Sequence, residues 1–481
     1  MNSSYFIDIH CHPTMRVYHN RQQYELANYW EENKNQQIDN KVGRWASRTS
    51  SKISKVSQSN FYNCINGNVR VVFDSLYPVE RGFVKFRKLP QKMLGEKNIE
   101  SIVVNSAGIS IEQFNHYKAS DNYYNDLKEQ YDFLISNQGP SPCERFQYKV
   151  VNDFNEMVQW VDQSVNHLAV ILTIEGVHSF GYGPNTASHM KDHKLKEFMV
   201  NNIREVKKWE YPPFFVTFAH HFWNQLCGHA PSLALSTKVT CNQNEGINTG
   251  FNSIGMEVLE ELLSNTNGKR ILIDTRHMSA KSRIEYFEYV KKHNNEYPND
   301  KIPIISSHSA VNGFETLQDS VDKKDTVFKK KKTPYCAWSI NISSEEVRAV
   351  HESNGIIGVI LDKGRHSGLL LLKNIESIPN EDNRKKAFIK LILDNLFFFI
   401  EAVNKRSAWD ILSLGSDFDG VITHFDDYKD MSTIPDLKKN LINYLNEYQY
   451  KKELWFGYSP EAIFEKIFHT NAFLFLKKHF K

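Results

Sequence analysis

The chain has 481 residues, 41% of them hydrophobic and 24% charged, and a formal net charge of +3. That length buries a large core and exceeds a minimal (β/α)8 barrel, leaving room for long insertions in a single domain spanning residues 1–481. The near balance of charge excludes the strong field that a nucleic-acid or membrane partner would need, and the basic run Lys329 to Lys332, with no aromatic residue interleaved, reads as a solvated loop.

The first apolar run, Phe6-Ile7-Asp8-Ile9-His10-Cys11-His12, reads as a buried strand closed by His-X-His. Residues two apart in a strand share a side, so His10 and His12 can offer both imidazoles to one ion while Cys11 turns into the wall. Its nearness to Met1 leaves no room for a signal peptide, and a cytoplasmic location is expected. Residues 17–66 are rich in Asn, Gln, Lys and Ser and carry Tyr24, Tyr29, Trp30 and Trp45, the pattern of an insertion that packs as a cap over one end of the barrel. Val69 to Phe73 is the second strand, Ser101 to Asn105 a further short strand, and Asp121 to Ser136 a helix by its apolar spacing.

Four more β-rich runs stop at a carboxylate or an imidazole: Leu168 to Glu175, Phe214 to His220, Arg270 to His277 and Ile302 to His308. Helices are expected between them, over 152–165, 191–209, the stripe Ile254, Val258, Leu262, and a segment capped by Ser279 whose Ile284, Phe287 and Val290 face the sheet. Residues 313–338 form a second insertion. Ser343-Ser-Glu-Glu346 matches a capping box, Asn354-Gly355 a helix stop, and Ile356 to Ile360 a strand. A third insertion, about 363–380, precedes an apolar helix to Val403, a last strand from Ile411 to Asp417, and a closing helix from Ser459-Pro460 to Phe475. The apolar run Leu396 to Ile400 is far shorter than the ~20 residues of a membrane span. Six cysteines without a Cys-X-X-Cys pair imply reduced thiols.

Ligand-type residues at the carboxyl ends of successive buried strands are the pattern of a distorted (β/α)8 barrel, whose site is assembled on that one face. His10, His12, Glu175, His277, His308 and Asp417 suit divalent ions of borderline hardness, most simply zinc. One glutamate among four histidines suggests a carboxylate bridging two ions. There a bridging hydroxide would attack a carbonyl and Asp417 would shuttle its proton to the leaving amine. An all-structural account would strand several buried polar groups without partners. His221 and His229 read as structural, and Asp419 as a loop or capping carboxylate.

Glu175-Gly176 followed by His178, Thr217 to His220 with Asn224, Asp274 followed by His277-Met278-Ser279, Ser307-His308-Ser309, Gly415 to Gly420, Asn341 to Gly358 and Asn471 occur in an order that resembles the membrane (renal) dipeptidase family of the amidohydrolase superfamily. The resemblance covers the barrel strands and none of the insertions. It implies a binuclear zinc site in which His10, His12 and Glu175 hold one ion and Glu175, His277 and His308 the other. It also implies that His220 binds the substrate carbonyl and that Asp417 acts in proton transfer. Two positions depart from the family: His12 stands where it has Asp, and Ile340 stands where it has the Arg that grips a dipeptide's terminal carboxylate. An apolar side chain does not replace a bidentate clamp, so either Arg365, Lys363 or Arg81 supplies the cation or the substrate lacks that carboxylate. The expected activity is hydrolysis of a dipeptide or similar small amide. The alternatives are another amide or ester lacking a free carboxylate, or a non-catalytic binding protein on the same barrel. A small-molecule substrate is the expected partner, and a homodimer is open.

Overall fold

The computed structural model describes residues 5–22, 25–33, 38–85, 92–233, 241–322 and 334–481. Eight buried strands follow one another along the chain: β1 (Phe6–Cys11), β2 (Val69–Leu76), β3 (His167–Glu175), β4 (Phe215–Thr217), β5 (Leu272–Asp274), β6 (Ile305–Ser309), β7 (Ile356–Val359) and β8 (Leu412–Leu414). Each pairs in parallel with the next, and β8 pairs back to β1, so the sheet closes into a (β/α)8 barrel. Ile7, Ile9, Val71, Phe73, Ala169, Ile171, Phe215, Leu272, Ile305 and Ile356 join in one apolar cluster drawn from seven strands. The C-terminal helix Asn471–His479 packs into the same cluster through Ala472, Phe475 and Leu476. Asn471 anchors that helix to the end of the barrel, donating to the carbonyls of Trp409 and Leu412, both at 2.7 Å.

The connecting helices start where the sequence places capping residues. Asp153, Asn252, Ser279 and Asn380 each accept a first-turn N–H, opening Phe154–Gln163, Ser253–Leu263, Ala280–Glu296 and Glu381–Val403. Two expectations fail. Ser101 to Asn105 lies inside the helix Glu96–Ala107: Ile99, Ser101, Val104 and Asn105 are buried, and Ser101 and Asn105 hydrogen-bond to Asn40 and Ile38 of the first insertion. That tertiary contact overrides the β preference of its two valines. The capping box at Ser343 does not form, because Glu346 is taken instead by Arg283 in a buried ion pair at 2.8 Å.

Within the first insertion Tyr29 and Trp30 are buried against Phe61 and Tyr148. Trp45 is 57% exposed, and Tyr24 lies outside the described residues, as does the run Lys329 to Lys332. The insertion is tied down by Asp419, fully buried, which accepts from Arg16 Nε at 2.9 Å, from Ser59 N at 2.8 Å and Oγ at 2.5 Å, and from Gln58 N. Of the two readings, loop or capping carboxylate, Asp419 takes the first: it ties two loops together and caps no helix among the described residues, Asn60 capping the helix Phe61–Asn66. No helix among the described residues is long and apolar enough to cross a membrane.

Gly358 and Gly415 flank the backbone of β6 so closely that a Cβ on either would lie 1.8 or 1.9 Å from the carbonyl oxygen of Ser307. Only a missing side chain allows that approach. Gly358→Ala should therefore lower unfolding free energy by about 3 kcal/mol, the upper end of overpacking costs, as measured by denaturant titration.

Candidate metal centre

The register of the barrel delivers its polar strand ends to one place. Glu175, the last residue of β3, is 3% exposed, and five imidazoles face it. Its Oε2 lies 3.0 Å from His12 Nε2 and 3.6 Å from His220 Nε2. Its Oε1 lies 3.4 Å from His277 Nε2 and 3.7 Å from both His10 Nε2 and His308 Nε2. Asp417 completes the ring, with Oδ1 3.5 Å from His12 Nε2 and 3.8 Å from His10 Nε2. All six residues expected as ligands, and His220, are therefore brought together. The register shift between Asp8 and Cys11 in β1 helps to aim His10 and His12 while Cys11 stays in the wall, its thiol against the Phe73 carbonyl.

Several rings are held from behind. His12 Nδ1 donates to the Ser75 carbonyl at 2.9 Å, which leaves Nε2 facing the centre. His308 Nδ1 is 2.9 Å from Ser307 Oγ, whose own proton goes to Asp274 at 2.6 Å. His220 Nδ1 donates to Glu80 Oε2 at 2.6 Å. His277 and Asp417 take left-handed backbone conformations, φ 65° and 61°, a strained state for residues with a Cβ that recurs at functional sites.

The inner atoms have no ordinary partners. Both nitrogens of His10, His12 Nε2, Glu175 Oε1 and His277 Nδ1 are buried without a hydrogen bond among the described residues. Most separations across the centre are too long for hydrogen bonds and close to about 3.3 Å, the edge of a tetrahedron built on zinc–ligand bonds of ~2.0–2.1 Å. Nitrogen and carboxylate donors in this set fit divalent metal, and His10 with Glu175 and His308, and His10 with His12 and Asp417, each form a group able to hold one.

Electrostatics follow from burial against charge. Burial works to raise the Glu175 carboxyl, but His220, His12 and His10 together outweigh it and hold it well below the usual range. Burial keeps His10 and His308 neutral and drops His277 to about 3, with His220 adding to the effect on His277. Burial lifts Asp417 to about 6 against the pull of His12.

Two residues of the centre escaped sequence reading. Glu80, four residues past the end of β2, accepts from His220 and from the backbone N–H groups of His221 and Phe222, at 3.3 and 2.9 Å. His221, read as structural, sits with its ring 4.8 Å from that of His277 and its Nδ1 2.6 Å from Ser232 Oγ, in a third group of possible ligands with His220 and His277. A search for carboxylates just beyond every strand, in place of those at the strand end alone, would have reached Glu80.

The fold is a closed parallel (β/α)8 barrel that gathers imidazoles and carboxylates from its strand ends into one buried cluster, a donor set suited to divalent metal. Residues 216–456 match the model of the membrane dipeptidase family, peptidase family M19, which is half of the chain, and the chain belongs to that family. It is thereby a hydrolase of a metallopeptidase family, for which a divalent metal is implied. Among solved structures it is similar to the dipeptidase AC, a family M19 metallopeptidase, at 13% identity and TM-score 0.47, covering 100% of this chain and 99% of that one. It is also similar to an amidohydrolase from Pseudomonas aeruginosa, at 12% identity and TM-score 0.46, covering 87% and 92%. A third is a metallo peptidase from Rhodobacter sphaeroides liganded with a phosphinate mimic of the dipeptide L-Ala-D-Ala, at 13% identity and TM-score 0.44, covering 91% and 96%. No curated protein matches the chain.

Glu80 offers a pH test of this arrangement. Burial would raise its carboxyl, but His220 outweighs it and brings Glu80 down to about 2 from 4.5. A depressed carboxyl stabilises the fold fully above its unfolded value and loses that contribution as pH falls toward the folded one. The stability gap between wild type and Glu80→Gln should be about 2 kcal/mol at neutral pH, a fraction of the full linkage value. It should stay flat down to pH 4.5 and shrink between there and about 2, as read by denaturant titration across pH.

Proposed function

We propose that the chain is a zinc-dependent hydrolase that cleaves the amide bond of a dipeptide or a closely related small amide. The observation that carries this reading is the Glu175 carboxylate turned to imidazoles through both oxygens, Oε2 toward His12 and Oε1 toward His277 and His308. His10, His12 and Glu175 would hold one ion and Glu175, His277 and His308 a second, with Asp417 at the edge of the first. Zinc bound there supplies Lewis acidity and a water activated at neutral pH.

The chain's own groups do the rest. Asp417 lies on the rim of the cluster with a carboxyl near neutrality, so it can take a proton from the nucleophile and return it to the leaving amine. His220 is fixed by Glu80 through Nδ1, which leaves Nε2 directed toward Glu175 and the reacting carbonyl. Burial would discharge His220, but Glu175 and Glu80 outweigh it and raise its pKa, which favours the protonated ring whose Nε2–H could donate to the developing oxyanion.

Asp417→Asn should lower kcat on dipeptides about 10²- to 10⁴-fold while zinc content stays at the wild-type value, and full activity in that variant would remove Asp417 from proton transfer. Glu175→Gln should take the zinc content, measured by plasma mass spectrometry on zinc-supplemented protein, from about two equivalents to one or fewer. Less than one equivalent in the wild-type protein would overturn the binuclear reading.

A further inference from the structure

The fold buries several arginines, most of them held by a carboxylate or by several carbonyls. Arg16 is paired with Asp419 at 2.9 Å and Arg283 with Glu346 at 2.8 Å, while Arg70 gives its donors to the carbonyls of Val161, Ser164 and His167. Arg276 is 3% exposed. Its Nη1 donates to the Ile340 carbonyl, its Nε is buried with no hydrogen-bond partner, and no carboxylate among the described residues pairs with it.

Its neighbour compounds the imbalance. Arg365 donates through Nη2 to the Ser232 carbonyl at 2.9 Å, lies 5.1 Å from the Trp338 ring centre, and has Asp362 no nearer than 3.9 Å. The adjacent residues Ile340 and Asn341 bind both arginines, the first through its carbonyl to Arg276 and the second through its side chain to the Arg365 carbonyl at 2.8 Å. Arg276 immediately precedes His277 in the chain. A buried cation beside a second cation, with no carboxylate in ion-pair contact among the described residues, is a costly arrangement that a bound anion would relieve.

We propose that Arg276, with Arg365 beside it, binds a free carboxylate of the substrate next to the scissile amide, an assignment that rests on the hydrolase reading above. Arg276 lies two residues past the end of β5, in the segment that also carries His277, and its backbone N–H donates to Asp274 Oδ1 at 3.1 Å. Planar, forked donors recognise a carboxylate and discriminate against the neutral amide that would replace it. Arg81 is not needed for this role: it is engaged with the Ser120 carbonyl and Asp121 at 3.0 and 3.4 Å. Lys363 is likewise engaged, by Asp426 at 2.6 Å.

The test is calorimetric titration of zinc-loaded protein carrying Asp417→Asn, to suppress turnover, with N-acetylalanine and with N-acetylalaninamide. The acid should bind about tenfold or more tightly than the amide, Arg276→Met should erase that preference, and Arg276→Lys should retain part of it. Equal binding of acid and amide with Arg276 present, or a preference that survives Arg276→Met, overturns the assignment. If Arg276→Met does not fold, Arg365→Met and Arg276→Lys replace it, and a preference unchanged in both overturns the assignment equally. Failure of the hydrolase reading shows separately, as zinc-loaded wild type that turns over neither dipeptides nor their amides.

Discussion

A carboxylate 3% exposed to solvent and faced by five imidazoles is held by no ordinary set of hydrogen bonds, and the rest of the centre is arranged around that fact. Glu175 stays ionised in spite of burial only because positive or polarisable nitrogens surround it. The strands that bring those nitrogens must end within a few ångströms of one another, which a closed barrel with all strands parallel achieves and an open sheet does not. The outer partners, Ser75, Ser307 with Asp274, and Glu80, set which ring nitrogen faces inward.

The centre was legible in the sequence wherever a ligand sits at the end of an apolar run, because strand ends in a parallel barrel share one face. His10, His12, Glu175, His277, His308 and Asp417 meet that condition, and so their convergence could be expected before any coordinates. Glu80 and Arg276 could not be read that way. Glu80 reaches the centre from an irregular segment past β2, where no periodicity ties residue number to direction. Arg276 is concealed between two informative residues, Asp274 and His277, and what marks it is the missing carboxylate, a property of neighbours distant in the chain. Helix and strand were confused at Ser101 to Asn105 for a related reason: Asn40 and Ile38, some sixty residues earlier, decide that segment's packing.

Backbone strain accompanies the ligands. His277 at φ 65° and Asp417 at 61° are followed by Asp419 at 68° and Val421 at 63°, the last a β-branched residue for which this region is costly. Each such residue costs on the order of 1–3 kcal/mol and persists where its surroundings fix it. For the β8 loop the fixing group is evident: Asp419 is clamped by Arg16 and by the backbone of Gln58 and Ser59, and Asp417 N donates to the His10 carbonyl at 3.0 Å. The strain at Asp417 is thus borne by the first insertion, which makes residues 54–60 part of the site's support even though none of them faces Glu175.

The seam between β1 and β8 also sets a timetable for assembly. Asp8 accepts from Ser416 N across 408 residues, so the first strand cannot complete its pairing until nearly the whole chain exists. At synthesis rates of ~5–20 residues per second, the apolar segment Phe6–Cys11 waits on the order of 20–80 s with one edge open, long enough for a strand edge to meet another nascent chain. Its early partner is β2, which arrives after some sixty residues and covers the other edge. What covers the open edge of β1 during translation therefore bears on how much chain reaches the closed barrel, separately from the stability of the finished fold.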